Sequence, residues 1–298
     1  MPMDTNEYLR EILKSQDLGE DSSEMKDLRE RRKEVETLLR ESFPEASPTI
    51  RYGGSIAKGT VIKESYDLDL VFYLPHDNSS AGETLKDIYE NVRKALEKKY
   101  SVLSKTSALR IYSQQKVDFH VDVVPGRFTD DKKSDCFIYQ ASAEKSRLKT
   151  NLDTHITLVK DSGVVDAIRL LKLWKARKAL RVKQFVFELL IIKLLKGKEN
   201  KSLDEQLQLV LTEIRDASEP IPVEDPANPL GNDLSSILSD CWPELSLTAA
   251  STLIVVENSG WEGVFGKVDK KDENALSASL NRAAAAVVTP TRPWQGNE

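Results

Sequence analysis

Asp67-Leu68-Asp69 runs into the apolar segment Leu70-Val71-Phe72-Tyr73-Leu74, and later the chain offers Val117-Asp118-Phe119-His120-Val121-Asp122-Val123-Val124-Pro125. Side chains alternate along a strand, so Asp67 and Asp69 share one face while Leu68, Leu70, Phe72 and Leu74 turn to a core. By the same alternation Asp118, His120 and Asp122 stand opposite Val117, Phe119, Val121 and Val123. Carboxylates held so close repel and raise each other's pKa unless a cation sits between them, and a hard divalent ion is the natural answer. A central strand would lay one acid of the second segment beside the first pair. Three carboxylates can cage two Mg²⁺ about 3.5–4 Å apart, the arrangement that clamps the attacking and leaving oxygens of a phosphoryl transfer. Asp-x-Asp alone is a common tripeptide that a solvated strand end would explain; the second segment shifts the balance.

Ahead of the first pair, Arg51-Tyr52-Gly53-Gly54-Ser55 leads into Ile56 to Thr60, read as a turn and the start of a short helix. Two glycines allow a close backbone approach, and free N–H groups at a helix start, with the Ser55 hydroxyl, suit a phosphate. The spacing Gly54-x-x-x-x-Gly59 mimics the start of a Walker loop, but Thr60 stands where that loop needs Lys, which excludes a P-loop. By itself the segment is equally a plain glycine turn.

The elements that must position these residues follow from periodicity. Ser23 to Phe43 carries Met25, Leu28, Val35, Leu38, Leu39 and Phe43 at helical spacing among dense charges, an amphipathic, spine-like helix. Short β-rich runs (Ile50 to Tyr52, Leu68 to Leu74, Ser101 to Tyr112, Lys116 to Val124) surround one helical segment, Gly82 to Lys99. After Asn151 the strand signals vanish, and Val164 to Leu180, Gln184 to Leu195, Leu203 to Ile214, Leu234 to Val256 and Asp272 to Val288 read as successive helices. Four prolines make Ser218 to Asp233 a loop. The expected organisation is α+β and bilobal: an N-terminal helical segment over 1–48, an α/β core over 49–150, a helical domain over 151–288, and a flexible tail over 289–298.

Gly54-Ser55, Asp67-x-Asp69 entering an apolar strand, and Asp122 in His-Val-Asp-Val-Val-Pro-Gly together resemble the nucleotidyltransferase superfamily related to DNA polymerase β. Within it the chain is most similar to the cGAS/DncV-like nucleotidyltransferases of bacterial antiphage signalling, relatives of oligoadenylate synthetase. Leu170-Leu171-Lys172-Leu173-Trp174-Lys175 and Val182 to Leu189 resemble that family's helical core, where a Lys and usually a Ser contact the donor triphosphate. Lys172 fits the Lys position, and Gln184 stands where the Ser is expected. Asp225-Pro226-Ala227-Asn228-Pro229 resembles a DPxNP segment of oligoadenylate synthetases and archaeal CCA-adding enzymes, and the likeness extends from Glu34 to Leu238.

The resemblance implies a polymerase-β-like sheet with flanking helices, with Asp67, Asp69 and Asp122 as ligands of two Mg²⁺ ions that Mn²⁺ can replace. Asp118 competes with Asp122 for the third place. Gly54 and Ser55 would hold the donor's terminal phosphates, Lys172 and Gln184 would contact the triphosphate, and Asn151 would reach a nucleobase or cap a helix. The reaction implied is the joining of NTPs, ATP among them, into a cyclic di- or trinucleotide second messenger read by a separately encoded effector. Two alternatives stand beside it: a template-independent RNA-tailing enzyme (CCA-adding or oligoadenylate-synthetase-like), and an inactive nucleotide-binding or antitoxin-like protein. The second is disfavoured because a binding module has no need to bear three mutually repelling carboxylates.

The 298 residues carry a net charge of −5, with 40% hydrophobic and 31% charged residues, which argues against disorder and against a long nucleic-acid track. Between Lys160 and Lys201, however, twelve basic residues face four acidic ones. Most form a solvated helix face, and Lys172 is the one expected in a cleft. Cys136 and Cys241 support neither a disulfide framework nor a zinc site. With no apolar signal core near the start and no membrane-length apolar run, a cytoplasmic monomer is expected. Trp174 and Cys136 are assigned to packing and His120 to a structural hydrogen bond, while His76 and His155 carry no signal.

Overall fold

A computed structural model describes residues 4–112, 120–141, 146–230, 232 and 234–268. Asp118, the helix expected over Asp272 to Val288 and the tail over 289–298 lie outside these residues. In chain order the elements are α1 (Thr5–Ser15), α2 (Ser23–Ser42), β1 (Thr49–Tyr52), α3 (Gly54–Lys58), β2 (Leu68–Leu74), α4 (Leu85–Glu97), β3 (Ser101–Ser104), β4 (Leu109–Tyr112), β5 (His120–Phe128), β6 (Cys136–Tyr139) and β7 (Arg147–Thr150). The helical half follows with α5 (Leu152–Lys160), α6 (Val165–Arg177), α7 (Gln184–Leu195), α8 (Leu203–Asp216), α9 (Ser235–Ser239), α10 (Trp242–Ser259) and α11 (Glu262–Phe265).

The sheet runs β1-β2-β5-β4-β3, with β6 and β7 continuing from β5. Among the described residues only β2 and β5 pair in parallel; the other pairings are antiparallel. β2 is buried on both faces, as a central parallel strand must be, so its sequence reads as a nearly unbroken apolar run. Leu68, Leu70, Phe72 and Leu74 pack with α2 and α4 residues such as Leu28, Leu39, Ile88 and Val92. Val71 and Tyr73 join Phe128, Cys136 and Ile138 on the opposite side. β5 extends past the expected Val124 despite Pro125. Along one edge it pairs with β4 as far as Val123 and with β6 from Gly126, so the missing N–H falls between the two partners.

The expected single run Ser101 to Tyr112 is a hairpin, β3 and β4, closed by Lys105 N–H to Ala108 O at 2.9 Å. The helix expected over Leu234 to Val256 breaks into α9 and α10, with a proline in the first turn of α10, where the missing donor costs nothing. α1, α5, β6 and β7 were not anticipated as separate elements. α1, capped by Asp4, inserts Tyr8, Leu9, Ile12 and Leu13 into the helical core, whereas α2 covers the sheet, so the first 48 residues are divided between the two halves. α7 is apolar almost all round and buried, with Glu188 as its inward polar exception. No helix among the described residues is long and apolar enough to cross a membrane.

Candidate active site

The parallel register of β2 and β5 sets Asp69 opposite Asp122, while Asp67 stands one residue before β2 begins. Gly53 N–H donates to Asp69 O at 2.9 Å, which draws the turn before α3 onto the same strand. Gly54 has φ +52°, and a Cβ there would lie 1.7 Å from Asp69 Oδ2. Both the backbone conformation and the contact demand glycine. Gly54→Ala is therefore expected to displace the Asp69 carboxylate and abolish any activity that depends on it, with circular dichroism as the folding control. The next residue, Ser55, is buried, and its Oγ has no hydrogen-bond partner. Such a group in a native fold marks a place for a ligand or water.

Each carboxylate has its own surroundings. Burial, with the charges of Asp67 and Asp122, pushes Asp69 up to about 7, against the weaker pull of Lys58 and Lys172. Asp67 is also pushed up by burial, but His120, Lys172 and Arg110 pull harder and leave it below its usual range. The His120 Nε2 atom lies 3.8 Å from Asp67 Oδ2, beyond hydrogen-bond reach and otherwise unpartnered, so the structural hydrogen bond expected of His120 is absent at that nitrogen. Asp122 is held below the usual range by Arg110 and Lys105 despite its burial. Arg110 grips it with two bonds, Nε to Oδ1 and Nη2 to Oδ2, both 2.8 Å, and Lys105 Nζ donates to Oδ2 at 3.0 Å.

Asp69, Asp122 and Arg110 therefore form one row across β2, β5 and β4. Among the described residues no group of three or more His, Cys, Asp or Glu side chains is arranged to hold a metal ion, and the Asp122 carboxylate is already engaged by Arg110. The donor set nonetheless fits a hard divalent ion: the groups are carboxylate oxygens, and Asp69 takes up a proton for want of countercharge.

The segment after Ser55 is bolted to the helical half. Lys58 Nζ donates to Glu188 Oε2 at 2.8 Å and Thr60 Oγ1 to Glu188 Oε1 at 3.0 Å, all three residues being buried. Gln184 Nε2 donates to the same Glu188 Oε1 at 3.3 Å and Gln184 Oε1 accepts from Lys175 Nζ at 3.3 Å. Lys172 Nζ donates to Thr60 O at 3.3 Å, and burial pulls its pKa down to about 8. Lys172 thus sits beneath the loop rather than in open solvent.

Asn151 caps α5, accepting from Thr154 N–H at 2.9 Å, and donates to Asp135 Oδ1 at 2.9 Å, so its amide is engaged at both ends. Asp225 of the proline-rich loop accepts from His155 (2.7 Å), Asn232 (2.6 Å) and Ala227 N–H (2.9 Å), which pins that loop to α5. Trp174 is core as expected, its indole donating to Thr252 Oγ1 at 2.9 Å, and Cys136 is fully buried with its thiol pushed up by desolvation. Sequence reasoning missed Lys58, Lys105, Arg110 and the role of Glu188. Only Glu188 left a signal, a lone acid inside an apolar helix, which must find a buried cation.

A mixed sheet carrying paired carboxylates at its parallel strands, faced by a glycine-serine turn and backed by helices, defines the class: a nucleotidyltransferase fold. Residues 3–162 match the family model of the Second Messenger Oligonucleotide or Dinucleotide Synthetase domain, more than half of the chain, and the chain belongs to this family of nucleotidyltransferases. No curated protein matches the sequence. Among solved structures it is similar to Vibrio cholerae DncV cyclic AMP-GMP synthase, at 12% identity and TM-score 0.69, with 94% of this chain and 95% of that one covered. It is similar also to Bradyrhizobium diazoefficiens CdnG in complex with GTP, at 13% identity and TM-score 0.68, covering 93% and 98%. For Escherichia coli MS115-1 CdnC in complex with HORMA-deltaN the identity is 20% and the TM-score 0.64, covering 88% and 96%. At these identities the shared property is the cGAS/DncV-like fold.

Proposed function

We propose that the protein is a divalent-metal-dependent synthase that joins NTPs into a cyclic di- or trinucleotide for antiphage defence. What supports this reading is the register that sets Asp69 opposite Asp122, with Asp67 one residue before β2, beside a glycine turn that presents the unpartnered Ser55 hydroxyl. Asp67 and Asp69, with Asp122, would hold the ions, Mg²⁺ or Mn²⁺. When bound, these supply Lewis-acid activation of the attacking hydroxyl and neutralise the triphosphate.

The chain's own groups then orient the reactants. Gly54 lets the backbone approach the donor and Ser55 donates to its terminal phosphates, while Lys172 and Lys175 place positive charge under the triphosphate and Gln184 holds Lys175 directly. A ribose hydroxyl forms a bond to the donor α-phosphorus, the bond from that phosphorus to the bridging oxygen breaks, pyrophosphate leaves, and the hydroxyl proton passes to the carboxylate cluster. A second such step closes the ring. Asn151 would reach a base only by giving up its cap, so its role in this scheme is to fix the start of α5. The proposal extends to a cytoplasmic enzyme whose product is read by a separately encoded effector.

Incubation with labelled NTPs and Mg²⁺ should yield a product resistant to phosphatase, identified by mass spectrometry. Linear products alone would sink cyclisation, and retention on RNA at moderate salt would favour the tailing alternative. Ser55→Ala should raise KM for the donor NTP by roughly tenfold, the worth of one charge-assisted hydrogen bond, with little change in melting temperature because its Oγ has no partner to lose.

A further inference from the structure

Between α2 and the end of β1, Arg29, Arg32, Lys33 and Arg40 with Glu36 and Tyr52 line a cavity of about 370 Å³. The Arg32 guanidinium lies 4.3 Å above the centre of the Tyr52 ring. Its Nε is buried without a hydrogen bond, 3.5 Å from Glu36 Oε2. Arg40 takes Glu36 Oε1 through two nitrogens, at 3.0 and 2.8 Å. Arg29 is turned to Glu20, with Nη1 to its carbonyl at 2.9 Å. Lys33 is exposed and has no hydrogen-bond or ion-pair partner among the described residues. A single lining carboxylate thus faces four cations around an aromatic ring.

We propose that this cavity is a second anion site that takes a phosphorylated small molecule with a planar base, a nucleotide, outside the catalytic cleft. Its volume falls in the range of small-molecule pockets. Arginine forks recognise phosphate, and Tyr52 offers the base a face that Arg32 now covers. A nucleic-acid track is disfavoured because α2 also carries Glu24, Asp27, Glu30, Glu34, Glu36 and Glu41, so the positive face is a local cluster and not a stripe.

The position of Tyr52 gives the site a consequence. It ends β1 and pairs with Leu70, and the next residues are Gly53, tied to Asp69 O, and Gly54, pressed against Asp69 Oδ2. A nucleotide that moves Tyr52 therefore acts directly on the turn that frames the catalytic carboxylate. This inference stands on the cavity and not on the proposed reaction.

Titration calorimetry without divalent metal, using ATP and inorganic tripolyphosphate, tests it. The wild-type protein should show an ATP site that weakens at least tenfold in Arg32→Gln/Arg40→Gln and several-fold in Lys33→Glu, a variant that removes no contact. Tyr52→Leu should weaken ATP but not tripolyphosphate. ATP isotherms unchanged in both charge variants would overturn the site. A single-stranded 20-nucleotide RNA that binds more than tenfold tighter than ATP, and is lost in the same variants, would overturn the small-molecule assignment.

Discussion

Asp69→Asn should abolish nucleotide joining and at the same time make the metal-free protein more stable at alkaline pH. The first effect is expected to be on the order of 10³-fold or more, because charge stabilisation by a bound metal is worth several kcal/mol and about 1.4 kcal/mol is a factor of ten in rate. The second follows from the sign of the pKa shift. Asp69 sits at about 7 in the folded chain against 3.8 ordinarily, so between those values the folded state holds more protons than the unfolded one. Its contribution to stability is present at acid pH and is lost as the pH rises towards 7. Asparagine removes the charge and with it the repulsion from Asp67 and Asp122. The melting temperature of the variant, measured in EDTA, should exceed that of the wild type at pH 8 and match it more closely at pH 5. Full activity in Asp69→Asn, or an EDTA melting difference that grows towards acid pH, would contradict the assignment of this cluster.

The second large effect concerns the bolt between the catalytic turn and the helices. Glu188 is fully buried and Lys58 nearly so, and the lysine also lies 4.8 Å over the Phe185 ring. Glu188→Gln leaves that cation without its countercharge, which costs roughly 3–5 kcal/mol for a buried pair broken on one side. At about 2–4 °C per kcal/mol for a chain of this size, the melting temperature should fall by about 10 °C. Because Lys58 and Ser55 share α3, the loosened turn should also raise KM for the donor NTP. The double variant Lys58→Met/Glu188→Leu replaces the pair by apolar volume and should regain most of the lost stability. A single variant as stable as the wild type would show that the ion pair does not fasten the two halves.

Several elements could be read directly from the chain. β2 spans Leu68–Leu74 and α7 spans Gln184–Leu195, as the patterns indicated, because each carries its periodicity locally and is long enough to display it. β6 and β7 are four residues each and mix Cys-Phe-Ile-Tyr with Arg-Leu-Lys-Thr, too short and too varied to alternate visibly. The hairpin of β3 and β4 hid in one β-rich run because its turn residues, Lys105 to Ala108, contain neither Gly nor Pro. The chemistry was legible to a similar depth. The acids and the glycine-serine turn announce themselves by type and spacing, while Arg110, in Leu-Arg-Ile-Tyr, looks like any outward residue of an alternating strand.

By itself the sequence determined which side chains share a face: Asp67 with Asp69, His120 with Asp122, and the apolar residues opposite them. That follows from the two-residue period of the extended backbone, a local covalent property. Tertiary structure alone decided that Asp69 lies opposite Asp122, that Arg110 and not a neighbouring acid takes hold of Asp122, and that Glu188 closes on Lys58, 130 positions away. Those contacts depend on register and on packing between distant segments, where a shift of one residue would turn the same side chains to the opposite face.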